Sequence, residues 1–395
     1  MPPSTPPPPA TSVPDIRIPA GLLPADGRFG SGPSKVRTEA VAALAAEAPR
    51  LLGTSHRQAP VRGLVGRVRA GLRQLWDLPE GHQVVLGNGG STVFWDVAAA
   101  SLIAERSQHL VFGEFGAKFA DAAGSAPHLE APVRVEADPG ATPPHPVPPM
   151  PGEEVDVYAL THNETSTGVC APISRPPWAN HGELVVVDAT SGAGVLGWEP
   201  GDVDAYYFAP QKVFAAEGGL WVAVLSPAAL ARAEELRGAG DQRGAGGRWV
   251  PASLDLARAA EESRSDQTLN TPAVSTLFLF VHQLEWVLAN GGSEFAAGRS
   301  RRSAGVLYGW AEASPYARPF VSDAGARSPV VGTVDLDQSV PAATVCAVLR
   351  ANGVLDTEPY RKLGRNQLRI GMFPAVDPED VEALTACVDH VVGRL

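Results

Sequence analysis

The sequence predicts an α/β protein: a large domain with a mostly parallel sheet flanked by helices, then a smaller C-terminal α/β domain. Three observations predict it. Short apolar runs alternate with helix-period segments along most of the chain. The turns that carry polar and small residues fall at the ends of those runs, where open sheets bind their ligands. At 395 residues the chain is also too long for one simple core. Residues 1–23 are expected to be a proline-rich disordered tail, 24–275 the large domain and 276–395 the small one.

With 44% hydrophobic and 19% charged residues the composition is that of an ordinary globular protein. A formal net charge of -11 argues against nucleic-acid or anionic-membrane partners, because phosphate backbones need a basic surface. No apolar run is long enough to span a bilayer and the N-terminus lacks signal-peptide features, so a cytoplasmic location is expected. Cys170, Cys346 and Cys387 are odd in number and widely spaced, which suggests neither a disulfide framework nor a metal site.

Residues 1–14, "MPPSTPPPPATSVP", hold almost no large apolar side chains and cannot fold alone. A glycine-punctuated turn and a helix follow, with Ser34 as candidate N-cap. "LLGTSHRQAP" reads as a loop carrying His56 and Arg57. After it, Val61, Leu64, Val65, Val68, Leu72 and Leu75 mark one face of an amphipathic helix with arginines opposite. "HQVVLGNGGSTVFWDVAAASLIAE" predicts strand, glycine turn and helix. The N–H groups at such a helix start, with the hydroxyls of Ser91 and Thr92 and the helix dipole, suit a phosphate. Such a turn is as often structural, and it matches neither the dinucleotide fingerprint nor a nucleotide P-loop.

"HLVF" and "GEFGAKFADAAG" repeat the alternation, with Phe115 just past a strand end, where a ring can lie on an aromatic ligand or simply pack. A proline-rich surface loop spans residues 137–152. "EVDVYALTHNETSTGV" is a strand and a polar turn holding Asn163, Glu164 and Thr165. "GELVVVDATSGAG" runs four apolar residues into Asp188, a carboxylate that needs a partner unless it caps a turn. In "DVDAYYFAPQKVFAAEGGLWVAV" a buried strand ends just before Lys212. The chain has 4 lysines against 28 arginines, so a cation here could readily have been an arginine. Lysine alone deprotonates when desolvated and forms a Schiff base with an aldehyde, although a lysine reaching solvent fits the segment equally. Beyond a glycine-rich, arginine-dotted loop (238–249), Asn270, Thr271 and Pro272 form a turn before a strongly apolar helix. Helix, helix, strand, helix, strand and a final helix complete the chain. Arg369, inside "NQLRIGMF", needs an anion, either a ligand carboxylate or an internal acid.

An anion cradle, an aromatic plate, a buried acid and a Schiff-base lysine are the parts that hold pyridoxal 5'-phosphate. Asp188 precedes Lys212 by 24 residues, the spacing of neighbouring strands. The order "GNGGST", "GEFGAKF", "NETSTG", "DATSGAG", "FAPQK", "LNTP" and "QLRIGMFP" resembles the phosphoserine aminotransferases of the class V group, from about Phe29 to the C-terminus. No single motif is specific to them; "SHR", "NET", "QK" and "NTP" together are.

That resemblance implies the fold-type I architecture of pyridoxal-phosphate enzymes and a homodimer. The implied reaction transfers the amino group of L-glutamate to 3-phosphohydroxypyruvate, giving O-phospho-L-serine and 2-oxoglutarate in serine biosynthesis. It implies Lys212 as the cofactor-bearing lysine, Asp188 as partner of the pyridinium nitrogen, Thr165 as donor to the ring hydroxyl and Phe115 as the stacking ring. Gly90, Ser91, Thr92 and Gln211 would hold the cofactor phosphate, with Asn270 and Thr271 reaching it from the partner subunit. His56 and Arg57 would grip the substrate phosphate or the distal carboxylate of glutamate, and Arg369 the α-carboxylate. The chain departs from the pattern in having Ser91 where many relatives carry arginine and Phe115 where they carry tryptophan. It also has "YRKLGRNQLR" in place of a His-Arg pair, which leaves Arg361, Lys362 and Arg365 open as substrate contacts. The competing expectations are a serine or alanine:glyoxylate aminotransferase, a cysteine desulfurase, which would need a reactive cysteine, and a catalytically silent relative.

Overall fold

The computed structural model describes residues 13–179, 182–239 and 248–395. Residues 1–12 of the expected tail and 240–247 of the glycine-rich loop lie outside the described residues. Helices α1 (Thr38–Leu51) and α2 (Ala59–Leu75) precede β1 (Gln83–Asn88), α3 (Ser91–Ser101), β2 (Ser107–Val111), α4 (Glu114–Ser125) and β3 (Val133–Glu136). There follow β4 (Val157–Thr161), the short pair β5 (Asn163–Glu164) and β6 (Val169–Cys170), β7 (Leu184–Asp188), β8 (Ala205–Phe208) and β9 (Leu220–Leu225). The chain continues through α5 (Pro227–Ala239), α6 (Leu256–Arg264), α7 (Val274–Ala289), α8 (Gly292–Ala313) and β10 (Ala317–Pro319). It ends with β11 (Val331–Leu336), α9 (Ala342–Ala351), β12 (Gln367–Gly371) and α10 (Pro378–Val392).

Among the described residues seven strands form one sheet in the order β1-β9-β8-β7-β4-β2-β3, and only β9 runs against the others. The carboxyl ends of β1, β2, β4, β7 and β8 therefore share one edge. Alternate residues of these strands pack on opposite faces: Val185, Val187, Tyr206 and Phe208 meet α2 and α7, whereas Leu184, Val186, Ala205 and Tyr207 meet α3 to α6. Burial on both faces is why the strands read as unbroken apolar runs. A three-stranded sheet, β10-β11-β12, packs with α8, α9 and α10 around a separate core.

Three expectations are corrected. The stretch from residue 276, expected to open the small domain, begins inside α7, whose Leu277, Phe280, Val281 and Leu284 pack in the core of the seven-stranded sheet. Residues 15–23 do not belong to the tail, because Ile18 is buried in the core of the smaller sheet and Ile16, Leu22 and Leu23 pack against it. Asn352 clamps this segment, accepting from Ile18 N and donating to Ile16 O, both at 2.9 Å. Ser34 does not cap α1, whose N-cap position is Arg37 and has no side-chain cap; the Ser34 amide instead donates to Gln211 O at 2.7 Å. The 137–152 loop is fastened to β2, with Gln108 exchanging two 2.9 Å hydrogen bonds with the Val147 backbone. Among the described residues no helix is long and apolar enough to cross a membrane.

Candidate active site

The chain leaves β8 at Phe208 and within four residues brings Lys212 back over the sheet edge. Lys212 Nζ donates to Ser31 O at 3.1 Å and to Thr165 Oγ1 at 3.3 Å. Burial, and then the charge of Arg369, push its ammonium pKa down to about 8, against the opposing pull of Asp188 and Glu164. This amine faces a cavity of about 430 Å³ lined also by Gly90, Ser91, Thr92, Phe115, Thr165, Asp188 and Gln211. Eight residues expected from separate motifs thus share one space, because each ends or follows a strand with its carboxyl end on the same edge.

Asp188 ends β7 and is buried. Its Oδ2 accepts from Trp95 Nε1 at 3.3 Å, and its Oδ1 accepts from the Thr190 amide at 2.9 Å and the Thr190 hydroxyl at 2.5 Å. Donors on both oxygens orient the carboxylate and offset its desolvation. The Thr190 and Ser91 hydroxyls lie 2.6 Å apart, tying the acid to the start of α3. Thr165 Oγ1 donates to Ser191 Oγ at 2.8 Å, and Asn163 Nδ2 donates to the same oxygen at 2.8 Å. The Phe115 ring centre lies 5.7 Å from Lys212 Nζ. Trp95, Thr190, Ser191 and Ser31 were not expected from the sequence. Trp95 alone carried a signal, standing four residues after Ser91 on one helix face.

Arg369 lies at the margin. Its Nη1 donates to Thr165 O at 3.4 Å, and the Tyr360 ring centre is 5.3 Å from its guanidinium carbon. Its Nε is buried without a hydrogen-bond partner, and among the described residues no carboxylate pairs with it. The internal acid left open by the sequence is therefore not its partner, and burial holds the guanidinium pKa below its ordinary range. Lys362 pairs with Glu114, Arg365 Nε donates to Asp335 Oδ1 at 3.1 Å, and Arg361 is exposed.

The remaining expected residues gather elsewhere. His56 Nδ1 is 3.0 Å from Thr271 Oγ1, Arg57 donates to Gln267 Oε1 at 3.0 Å, and Asn88 Nδ2 donates to Thr271 O at 2.9 Å. Thr268 Oγ1 donates to Asn270 O at 2.6 Å. None of His56, Arg57, Asn270 and Thr271 lines the Lys212 cavity of the same chain. Gln211 Oε1, Asn163 Oδ1 and Ser31 Oγ, all next to that cavity, are buried without hydrogen-bond partners. Such orphaned polar atoms call for a polar occupant.

The aminotransferase class-V family pattern matches residues 138–384. A phosphoserine aminotransferase of Nocardioides sp. is 57% identical over 381 residues, 96% of this chain and 99% of that one. Among solved structures, a phosphoserine aminotransferase from Cytophaga hutchinsonii superposes with a TM-score of 0.79 at 21% identity, over 92% of this chain and 99% of the other. An aspartate aminotransferase from Thermus thermophilus follows at 0.76 and 25% identity, over 93% and 99%. The architecture is thus shared by transaminases of different specificity, and it is the sequence identity that narrows the choice. With its sheet edge, its buried lysine and more than half its length in register with one family, this chain belongs to the class-V aminotransferases, in the group of the phosphoserine aminotransferases.

Proposed function

We propose that the Lys212 cavity holds pyridoxal 5'-phosphate and transfers the amino group of L-glutamate to 3-phosphohydroxypyruvate, in the cytoplasm and within a homodimer. The observation that carries the proposal is a buried lysine amine sharing one cavity with an oriented carboxylate, an aromatic ring and the open N-terminus of a helix. When bound, the cofactor supplies an aldehyde that condenses with amines and a protonated pyridine ring that withdraws electrons from the carbon bearing the amino group.

The residues present fit that group. Lys212, its proton loosened by burial, presents an amine nucleophilic enough to take the aldehyde, and when released moves a proton to and from the substrate's reacting carbon. Asp188, locked by Trp95 and Thr190, keeps the ring nitrogen protonated. Thr165 meets the ring hydroxyl and Phe115 covers the ring face. Gly90, Ser91, Thr92 and Gln211 receive the phosphate, the α3 amides adding their dipole. Among the described residues, Lys212 is the one cation that lines the cavity. A second copy bringing Asn270 and Thr271 to the cofactor phosphate, with His56 and Arg57 beside them for the distal anionic end of either substrate, is the natural source of further contacts. Arg369, with no acid beside it among the described residues, takes the carboxylate next to the reacting carbon. In domain terms, the seven-stranded sheet unit carries the cofactor and the three-stranded unit contributes Arg369.

Purified protein assayed with glutamate as donor tests this against 3-phosphohydroxypyruvate, hydroxypyruvate, pyruvate and glyoxylate. We expect kcat/KM for the phosphorylated acceptor to exceed the others by about 100-fold or more, the worth of a doubly charge-assisted contact. Equal rates with and without the phosphate would overturn the substrate assignment and leave the cofactor in place.

A further inference from the structure

Glu164 is completely buried yet contributes no surface to the cavity. Its Oε2 accepts from the amides of Phe115 at 3.0 Å and Gly116 at 3.1 Å. Its Oε1 accepts from the Ser166 amide at 3.1 Å and the Ser166 hydroxyl at 2.6 Å. The Ser166 hydroxyl in turn accepts from the Glu114 amide at 3.0 Å. A helix start leaves its first N–H groups without partners, and Gly113, the N-cap of α4, has no side chain to offer. All three opening amides of α4 are therefore satisfied from the last residue of β5 and the turn that follows it. The approach is close enough that a Cβ on Gly113 would lie 2.3 Å from Glu164 Cγ and 2.7 Å from Ser166 Oγ.

Thr165, between these two capping residues, turns the other way, with its hydroxyl against Lys212 Nζ and Ser191 and its carbonyl against Arg369. One three-residue turn thus fixes the helix that carries the ring plate and, through its middle residue, touches the lysine and the arginine. We propose that Glu164 is a positioning residue that sets the Phe115 ring against the bound cofactor by capping α4 from a neighbouring turn, in register with Thr165 and Lys212. This rests on reading the cavity as the pyridoxal-phosphate site. Every contact that Glu164 makes is to a donor, so a carboxylate matches all four, whereas a glutamine amide must turn its NH₂ toward one donor pair.

The test uses Glu164→Gln, Phe115→Leu and the double variant. In cofactor-free protein, amide exchange at residues 114–117 should rise about tenfold in Glu164→Gln with exchange in β1 and β9 unchanged. The Kd for pyridoxal phosphate should rise about tenfold, and the induced circular dichroism of the cofactor band should fall by about half. In the Phe115→Leu background the same change should cost less than about twofold in Kd, because a group acting through the ring has nothing left to hold. Losses that multiply independently, or an unchanged Kd and dichroic band despite faster exchange, would overturn the proposal. Should Glu164→Gln fail to fold, Ser166→Ala, which removes one donor to Glu164 and the acceptor for Glu114, should give the same pattern at smaller amplitude. Failure of the unaltered protein to bind pyridoxal phosphate would instead remove the cofactor reading itself.

Discussion

Lys212 sits where an ammonium is poorly tolerated, and its chemistry follows from that. An unfolded lysine keeps its proton up to about pH 10.5, whereas in the folded chain burial and Arg369 bring release down to about 8. Between those values the unfolded state binds more protons, so folding gains as pH rises through the window, and below pH 8 the full cost remains. In cofactor-free protein, the stability deficit relative to Lys212→Met should therefore shrink by ~2–3 kcal/mol between pH 7 and pH 10. Denaturant titrations at the two pH values measure it, and an unchanged deficit would show an amine that is not desolvated. This lysine and Asp188 were legible in the sequence because each is the wrong residue type to end an apolar run unless it has work to do. Thr190, Trp95 and Glu164 were not, since an ordinary threonine, tryptophan or glutamate gains its role only from the atom it meets in three dimensions. That no acid among the described residues pairs with Arg369 was equally invisible, being a property of its surroundings.

At the scale of elements, the segment 29–34 shows how the site is stapled together. Gly371 N, at the end of β12, donates to Phe29 O at 2.7 Å, Ser34 N donates to Gln211 O at 2.7 Å, and Ser31 O receives Lys212 Nζ at 3.1 Å. The segment thus joins the smaller sheet to the lysine loop. A Cβ on Gly371 would stand 2.2 Å from Gly30 O, a backbone atom that cannot swing aside. Gly371→Ala should therefore cost about 2–3 kcal/mol by overpacking and weaken cofactor binding through the displaced Ser31 carbonyl. Urea midpoints and cofactor titration check both, and wild-type values for both would show that the staple is slack. Sheet strands buried on two faces announced themselves as apolar runs, and α2 as a clean stripe. The three-residue β10 and the two-residue β5 and β6 are too short to carry a period. Helix α6 escaped because "LARAAEESR" shows no stripe of large apolar residues. Ile16 and Ile18, two isoleucines beside a proline-rich stretch, gave no periodic signal of their docking.

For the whole molecule, the parallel sheet does one thing of consequence: it collects residues scattered from Gly90 to Lys212 at one edge. His56, Arg57, Asn270 and Thr271 form a second group away from that cavity. The proposed sharing of the site between two copies, which the resemblance implied for Asn270 and Thr271, would bring the two groups together. The proposed function requires one covalent link, between pyridoxal phosphate and the amine of Lys212. Its most direct measurement is borohydride reduction of the protein after supplying pyridoxal phosphate, with absorbance before and after and peptide mapping of the product. The expected result is a visible absorbance band that reduction removes, with the pyridoxyl group on Lys212 and no band in Lys212→Ala. A protein that stays colourless, or a label found on Lys35, Lys118 or Lys362 in place of Lys212, would contradict it.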